Sequence, residues 1–487
     1  MDKKIITRYA PSPTGFQHIG GIRTALFAYL AAKQSGGTFI LRIEDTDKSR
    51  EVEGAIEHTM EALRWLGLNW DIGPDNPGDF GSCLQSDRLD IYKKYAHKLI
   101  AKGLAYPDPY SQEELEIFRQ QAKDNNEPFL YRKHRPESFV DWDEKTPLRL
   151  RVENIKRYKW HDEVRGDLEA GEEALDDYII IKSDGYPTYN FAHIIDDYEM
   201  GVTHIMRGDE FISSMPKFLS LYDALEISYP KFISLPPIMN ETGNKKLGKR
   251  DGAQDILEYK KQGYLPETMV NFLAMIGWNP GTDKEIFSRQ ELLETFSIAK
   301  IQKSGGAFNV EKLKWMNKEH LLQLNHKDQF TYVLSAVPDS VKALPQYNND
   351  RVEKISSIIL ERYHNLIEIN ESFTTGEYDW VFTTPHYETE LLKWKQDTNV
   401  ENSLTRLDEV HKLLTDADFS STESIKSAIW DLAEKEGRGQ VLWPLRVALS
   451  GREKSPDPFN CAYILDKQET LLRIKAACDK ITGNAVT

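Results

Sequence analysis

Pro11-Ser12-Pro13-Thr14-Gly15-Phe16-Gln17-His18-Ile19-Gly20-Gly21 separates two apolar runs, Ile5–Tyr9 and Ile22–Ala32. The first has the length of a short buried strand, and the second is Ala/Leu-rich and reads as a helix. Two prolines and three glycines between them demand a tight turn and let the backbone approach a ligand closely. A helix starting there directs free N–H groups and the positive end of its dipole at a phosphate or carboxylate. His18, just ahead of the helix, is placed to donate to the same anion. Such Gly-rich strand-to-helix turns are widespread in α/β proteins. The stretch therefore decides the fold class and leaves nucleotide binding as one of two readings.

Far downstream, the turn-forming Asn240-Glu241-Thr242-Gly243-Asn244 leads into Lys245, Lys246, Lys249 and Arg250, four cations within six residues. This cluster suits the charge that develops on a triphosphate attacked at its α-phosphorus, and it equally suits a solvated basic turn. Taken in order, the two segments resemble the HIGH and KMSKS signatures of class I aminoacyl-tRNA synthetases. The run Arg8-Tyr9-Ala10-Pro11-Ser12-Pro13-Thr14-Gly15 ahead of His18-Ile19-Gly20-Gly21 looks like the bacterial-type glutamyl-tRNA synthetase family. The resemblance covers nearly the whole chain. It continues through Arg42-Ile43-Glu44-Asp45-Thr46-Asp47, Gln85-Ser86-Asp87-Arg88, Ser183–Tyr189, Met206–Glu210, Leu313–Asn317 and Pro444–Gly451.

At 487 residues the chain exceeds one ordinary core, so two to four domains are expected. A hydrophobic content of 40% with 29% charged residues is that of a globular protein in water. Cys83, Cys461 and Cys478 are scattered, so neither a disulfide framework nor a Cys-rich metal site is indicated, and a reducing cytoplasm fits. Met1-Asp2-Lys3-Lys4 runs straight into a strand, so no signal or transit peptide is expected. No apolar run is long enough for a bilayer. The net charge of −15 does not exclude a nucleic acid, which needs only a local basic face. Basic clusters stand at Lys98–Lys102, Tyr131–Arg135, Arg149–Arg157, Lys245–Arg250 and Lys312–Lys318.

Strand and helix alternate over 1–102, as in a parallel sheet with crossover helices. The texture over 103–178 changes to a polar helix (Ser111–Lys123) and short strands such as Leu148–Val152, an α+β insertion. The β/α pattern resumes over 179–238 with the strand-like Val202–Arg207. Residues 239–324 carry the lysine loop and the helices Leu265–Ile276 and Ser288–Phe296. Residues 325–487 read as almost wholly helical, with amphipathic stretches Ile355–Leu366, Glu388–Lys395 and Leu404–Leu414. The resemblance implies a Rossmann-type catalytic domain split by an acceptor-end-binding insertion. It also makes 239–324 a stem-contact region and the helical third an anticodon-binding region.

The substrate that the resemblance implies, L-glutamate, carries two carboxylates and an ammonium. Arg8, at the end of the first strand, and Arg207, where the resumed sheet meets a loop, could each hold a carboxylate bidentately; structural ion pairing is the other reading. Glu44 ends the second strand and could accept the ammonium. Asp45 and Asp47 lack an EF-hand pattern. Tyr189 and His193, four apart, share a face if helical and could line the amino-acid pocket or simply be core. By resemblance, Ser12 joins the glutamate contacts. Pro11, Ser12, Thr14, Gly15, His18, Gly20, Gly21 and Lys249 become ATP contacts, and His18, Lys246 and Lys249 catalytic groups. The implied partners are ATP with Mg²⁺, glutamate and tRNA(Glu), without DNA or membrane, in a monomer. Gly248 stands where the signature usually has serine. Some relatives hold zinc in the insertion, but Ala105–Arg135 has no cysteine and His134 alone cannot build a tetrahedral site, so no structural zinc is expected. Charging of tRNA(Gln) as well, or an inactive tRNA-binding paralogue, remain alternatives.

Overall fold

The computed structural model describes residues 4–248 and 254–483. They form two compact units, Met1–Lys261 with Leu265–Leu313, and Gln262–Tyr264 with Lys314–Thr487. The first is α/β and carries the parallel strands; the second is helical.

The first unit begins with strand β1 (Ile6–Tyr9), helix α1 (Ile19–Gln34) and strand β2 (Thr38–Leu41). β1 and β2 pair in parallel with Arg8 opposite Ile40. Helix α1 starts at Ile19 rather than Ile22, so Gly20 and Gly21 belong to its first turn and not to the preceding loop. Ile19, Ile22, Leu26, Phe27 and Leu30 are all buried, as a helix with little polar face requires. Each such side chain contributes about 1.5–3 kcal/mol of burial. Helices α2 (Ala55–Trp65) and α3 (Leu89–Ala101) follow.

Next come β3 (Ala105–Pro107), α4 (Gln112–Asp124), β4 (Leu148–Leu150), β5 (Tyr158–Asp162), β6 (Gly166–Ala170) and β7 (Tyr178–Ile181). Helix α4 opens on a capping box between Ser111 and Glu114. Strands β3, β4 and β7 make an antiparallel sheet. Beside it, Asp108 binds Arg149 at 2.7 Å and His134 stacks on Phe118 with ring centroids 4.1 Å apart. The β5–β6 hairpin, within the stretch read as the insertion, pairs through Asp162 with Phe232 of the main sheet.

The main layer resumes with α5 (Tyr189–Glu199), β8 (His204–Gly208), α6 (Met215–Leu225), β9 (Lys231–Leu235) and the short β10 (Ile238–Met239). β8 and β9 pair in parallel. Thr203, which leads into β8, gives its N–H to Ile6 O at 2.9 Å and accepts the Ile6 N–H, setting β8 beside β1. The C-terminal ends of β1, β2 and β8 thus open on one side, where parallel sheets bind ligands. Helices α7 (Ile256–Lys261), α8 (Pro266–Met275) and α9 (Arg289–Thr295), strand β11 (Gly306–Ala307) and helix α10 (Val310–Gln323) follow, with β11 parallel to β10.

The helical unit comprises α11 (His326–Ala336), α12 (Asp339–Lys342), α13 (Asn349–Leu360), α14 (Leu366–Thr374), α15 (Asp379–Phe382), α16 (Glu401–Asp416), α17 (Thr422–Glu436), α18 (Arg438–Ser450) and α19 (Pro458–Ile481). Two expected helices differ. Ile355–Leu366 is broken after Leu360, because Asn365 caps a new helix by accepting the Glu368 N–H. Glu388–Lys395 makes only a 3₁₀ turn over Thr389–Leu392. There the Leu391 carbonyl accepts the Trp443 indole N–H and the Leu392 carbonyl accepts the Ser403 hydroxyl, so neither carries an α-helical bond onward. No helix among the described residues is long and apolar enough to cross a membrane.

Candidate active site

The turn after β1 is laced to the chain leaving β2. Glu44 donates its N–H to Pro11 O at 3.0 Å, Val52 donates to Pro13 O at 2.8 Å, and the Ser12 hydroxyl donates to Glu44 O at 3.0 Å. His18 is the N-cap of α1, and its Nδ1 accepts the Gly20 N–H at 3.1 Å. With Nδ1 accepting, the neutral ring carries its proton on Nε2. The expectation that the first N–H groups of this helix all face a ligand is therefore corrected: the Gly20 N–H goes to His18. Gly21 is glycine because of crowding. A Cβ there would sit 2.7 Å from the Tyr9 hydroxyl and 3.0 Å from Gln17 Oε1.

The downstream lysines are held at the upstream root of their segment. Lys246 bridges Met239, Leu247 donates to Ile238 O at 2.8 Å, and the Asn240 side chain accepts from Asn244 and Lys245. Lys246 Nζ lies 3.7 Å from Glu210 Oε2. Lys249 and Arg250 lie outside the described residues. The downstream root returns to the first signature, with Asp255 bridging His18 and Ile256 donating to Gln17 O at 3.0 Å. The two halves, more than two hundred residues apart in sequence, adjoin in space.

Between the strand ends lies a cavity of about 630 Å³. Among the expected site residues, Arg8, Ser12, Thr14, Gly21, Glu44, Tyr189 and Arg207 line it. Pro11, Gly15, His18, Gly20, His193 and Lys246 do not. His193 lies behind the wall, stacked on Tyr189 with centroids 4.5 Å apart and donating from Nδ1 to Tyr189 O at 2.7 Å. As a carbonyl only accepts, that nitrogen carries the hydrogen. Burial pushes the His193 imidazole down to about 3, so it is neutral.

Buried charges frame the cavity. Asp197 Oδ1 accepts Arg8 Nε at 2.9 Å and Arg42 Nη1 at 2.7 Å, while Arg42 Nη2 donates to Glu44 at 3.0 Å. Arg88 and Tyr92 donate to Asp196 at 2.8 and 2.7 Å. Burial alone would raise the Asp197 carboxyl, but Arg8 and Arg42 hold it down to about 2. Burial raises the Glu44 carboxyl in spite of Arg42 and Arg8. Arg207 differs from the other arginines. It is 7% exposed, Nη1 has no hydrogen-bond partner among the described residues, Nη2 faces Met215 Sδ, and Phe218 lies 4.7 Å beneath the guanidinium. Burial lowers its pKa. A cation so placed calls for an anion from outside the protein. Lys182, Arg50 and Glu210 also line the cavity and were not singled out by sequence.

The family described as tRNA synthetases class I (E and Q), catalytic domain, matches residues 4–315. This chain belongs to that family. An anticodon binding domain matches residues 329–478 of this class I synthetase. It is 41% identical over 492 residues to a glutamate–tRNA ligase of Clostridium botulinum, covering 99% of each chain. With that of Clostridium tetani it shares 39% identity over 493 residues, covering 98% of each. A crystal structure of a glutamate tRNA ligase from Elizabethkingia meningosepticum in complex with its amino acid aligns with a TM-score of 0.84 at 33% identity, covering 98% of this chain and 100% of that one. The synthetase therefore keeps its family's order of catalytic part and anticodon part. The missed signal for its inner charges was the adjacent pair Asp196-Asp197 directly after Phe191–Ile195, a run apolar but for His193; acids on such a buried stretch call for buried cations.

Proposed function

We propose that this synthetase activates L-glutamate with ATP, releasing pyrophosphate, and transfers the glutamyl group to the terminal adenosine of tRNA(Glu). The observation that carries the reading is Arg207, a buried guanidinium that lines the cavity and whose Nη1 has no hydrogen-bond partner among the described residues. Arg207 and Arg8 suit the two carboxylates of glutamate, and Glu44 suits its ammonium, with Ser12 and Tyr189 completing the wall. Glutamine would leave a buried guanidinium facing a neutral amide, a penalty of about 3–5 kcal/mol.

ATP fits the neighbouring turn, with Pro11, Ser12, Thr14, Gly15, Gly20 and Gly21 giving close backbone approach and His18, the N-cap of α1, as a further contact. Nucleophilic attack by the glutamate α-carboxylate on the α-phosphorus forms the adenylate and breaks the bond to pyrophosphate. Lys246 and Lys249 would offset the charge that grows on the departing group. The Mg²⁺ that accompanies ATP would rest mainly on phosphate oxygens. The chain's part is then positioning and charge stabilisation. Residues 1–102 and 179–238 are assigned to the catalytic fold, 103–178 to acceptor-end binding, 239–324 to stem contact and 325–487 to anticodon binding. A monomer in the cytoplasm suits this role.

The test is ATP–pyrophosphate exchange in the presence of tRNA, comparing glutamate with glutamine. Exchange with glutamate and not glutamine is expected; the reverse preference sinks the assignment. Lys249→Ala should slow exchange by about 10²–10³-fold while leaving glutamate affinity unchanged.

A further inference from the structure

Phe16, His58 and Asp255 come from three separate stretches and meet beside the upstream turn. The Phe16 ring, 54% exposed, lies on the His58 imidazole with centroids 4.5 Å apart and planes within 9°. His58 projects from α2, and its Nε2 lies 2.8 Å from each carboxylate oxygen of Asp255. Since the carboxylate only accepts, Nε2 carries the hydrogen. The imidazole is nearly enclosed, and its Nδ1 has no hydrogen-bond partner among the described residues. The stack and the Asp255 contact are therefore what hold the ring in place.

Asp255 stands at the downstream root of the lysine segment. Its backbone bridges His18, and the next residue, Ile256, donates to Gln17 O. Its Oδ1 also accepts the Leu257 N–H at 2.9 Å, capping α7. One carboxylate thus ends the segment, starts a helix and receives the histidine. A second tie between α2 and α7, Lys260 to Glu61 at 2.9 Å, is exposed on both sides and adds little. His58 belongs to neither signature, and none of the three residues lines the amino-acid cavity.

We infer that His58 is a positioning residue for the ATP step, fixing the downstream root of the lysine segment against the phosphate-facing turn. The inference rests on the ligase reading. Losing His58 frees Asp255 from α2 and removes the support under Phe16, so the nucleotide half of the site loosens. The amino-acid half, built on Arg8, Glu44 and Arg207, keeps its own framework.

The experiment uses the full chain. In tRNA-supported exchange, His58→Ala is expected to raise the ATP KM about tenfold, the scale of one lost hydrogen bond to a charged group. Glutamate Kd, measured by calorimetry, should stay unchanged. His58→Gln keeps an N–H for Asp255 and should recover most of the loss. His58→Phe keeps the stack but leaves the carboxylate unanswered, and should not recover. An unchanged ATP KM in His58→Ala overturns the inference, as does a parallel loss of glutamate affinity, which would mean general loosening. If wild-type protein gives no exchange, the ligase reading fails instead. Calorimetric titration with MgATP then decides on His58: about tenfold weaker binding in the variant supports its role, and equal binding overturns it.

Discussion

Replacing Arg207 with leucine should make the protein more stable and unable to use glutamate. The guanidinium is buried, Nη1 lacks a partner among the described residues, and burial lowers its pKa, so its charge works against the fold at neutral pH. Rings of Phe218, Phe211 and Phe232 at 4.7, 5.5 and 5.8 Å offset part of this, each by about 0.5–2 kcal/mol. Exchanging a poorly paired buried charge for a hydrophobe of similar reach is neutral or stabilises by about 1–4 kcal/mol. In a unit of this size each kcal/mol moves Tm by on the order of 2 °C. Bound glutamate, in contrast, loses its ion pair, and about 3–5 kcal/mol weakens it by at least two orders of magnitude. Thermal melting and glutamate titration by calorimetry measure the two effects on the same sample. A variant that melts well below wild type, or that still binds glutamate, would refute the idea that this arginine is kept for its ligand.

Other outcomes follow from the same geometry. Asp197→Asn removes the charge that holds Arg8 and Arg42, and urea melts should show a loss of about 3–5 kcal/mol. His193, buried neutral with its pKa down to about 3, binds fewer protons folded than unfolded between about pH 6.5 and 3; stability should fall on acidification through that window, and His193→Phe should flatten the profile. Gly21→Ala drives a methyl against Tyr9 and Gln17 and should destabilise by about 1–3 kcal/mol in denaturant melts. Chelation by EDTA should abolish exchange yet leave Tm unchanged, as Ala105–Arg135 has no cysteine with which to build a structural zinc site.

What was legible in sequence was what repeats locally. The strand, turn and helix around Pro11–Gly21 and the alternation of the main sheet show in residue pattern, because a short apolar run and a Gly/Pro turn have few alternatives. The cavity wall was legible where a charged residue stands near a strand end, as with Arg8 and Arg207; Glu44, read as ending the second strand, lies three residues beyond it, since β2 stops at Leu41. Two kinds of fact were hidden. Helix bounds shifted where side chains took over backbone partners, as when Asn365 capped a new helix or Trp443 claimed the Leu391 carbonyl. Periodicity carries no trace of such distant donors. The second kind is depth: Tyr189 and His193 share a face, yet one meets the cavity and the other supports it from behind, and only the packing of α6 decides which.

Asp197 has a consequence for how the amino-acid site comes into being. Its carboxylate joins Arg8 and Arg42 across 189 and 155 residues of chain, and Asp196 reaches Arg88 across 108. Contacts of such long sequence separation form late, after the loops between them have closed. A nascent chain that has not yet emerged past α5 has both arginines, with Glu44 beside Arg42, but lacks the carboxylate that the two share, and so has no finished pocket. Glutamate can then stabilise only the finished catalytic unit and cannot rescue an earlier intermediate. Amino-acid binding thereby serves as a reporter of complete folding, read out at a single carboxylate.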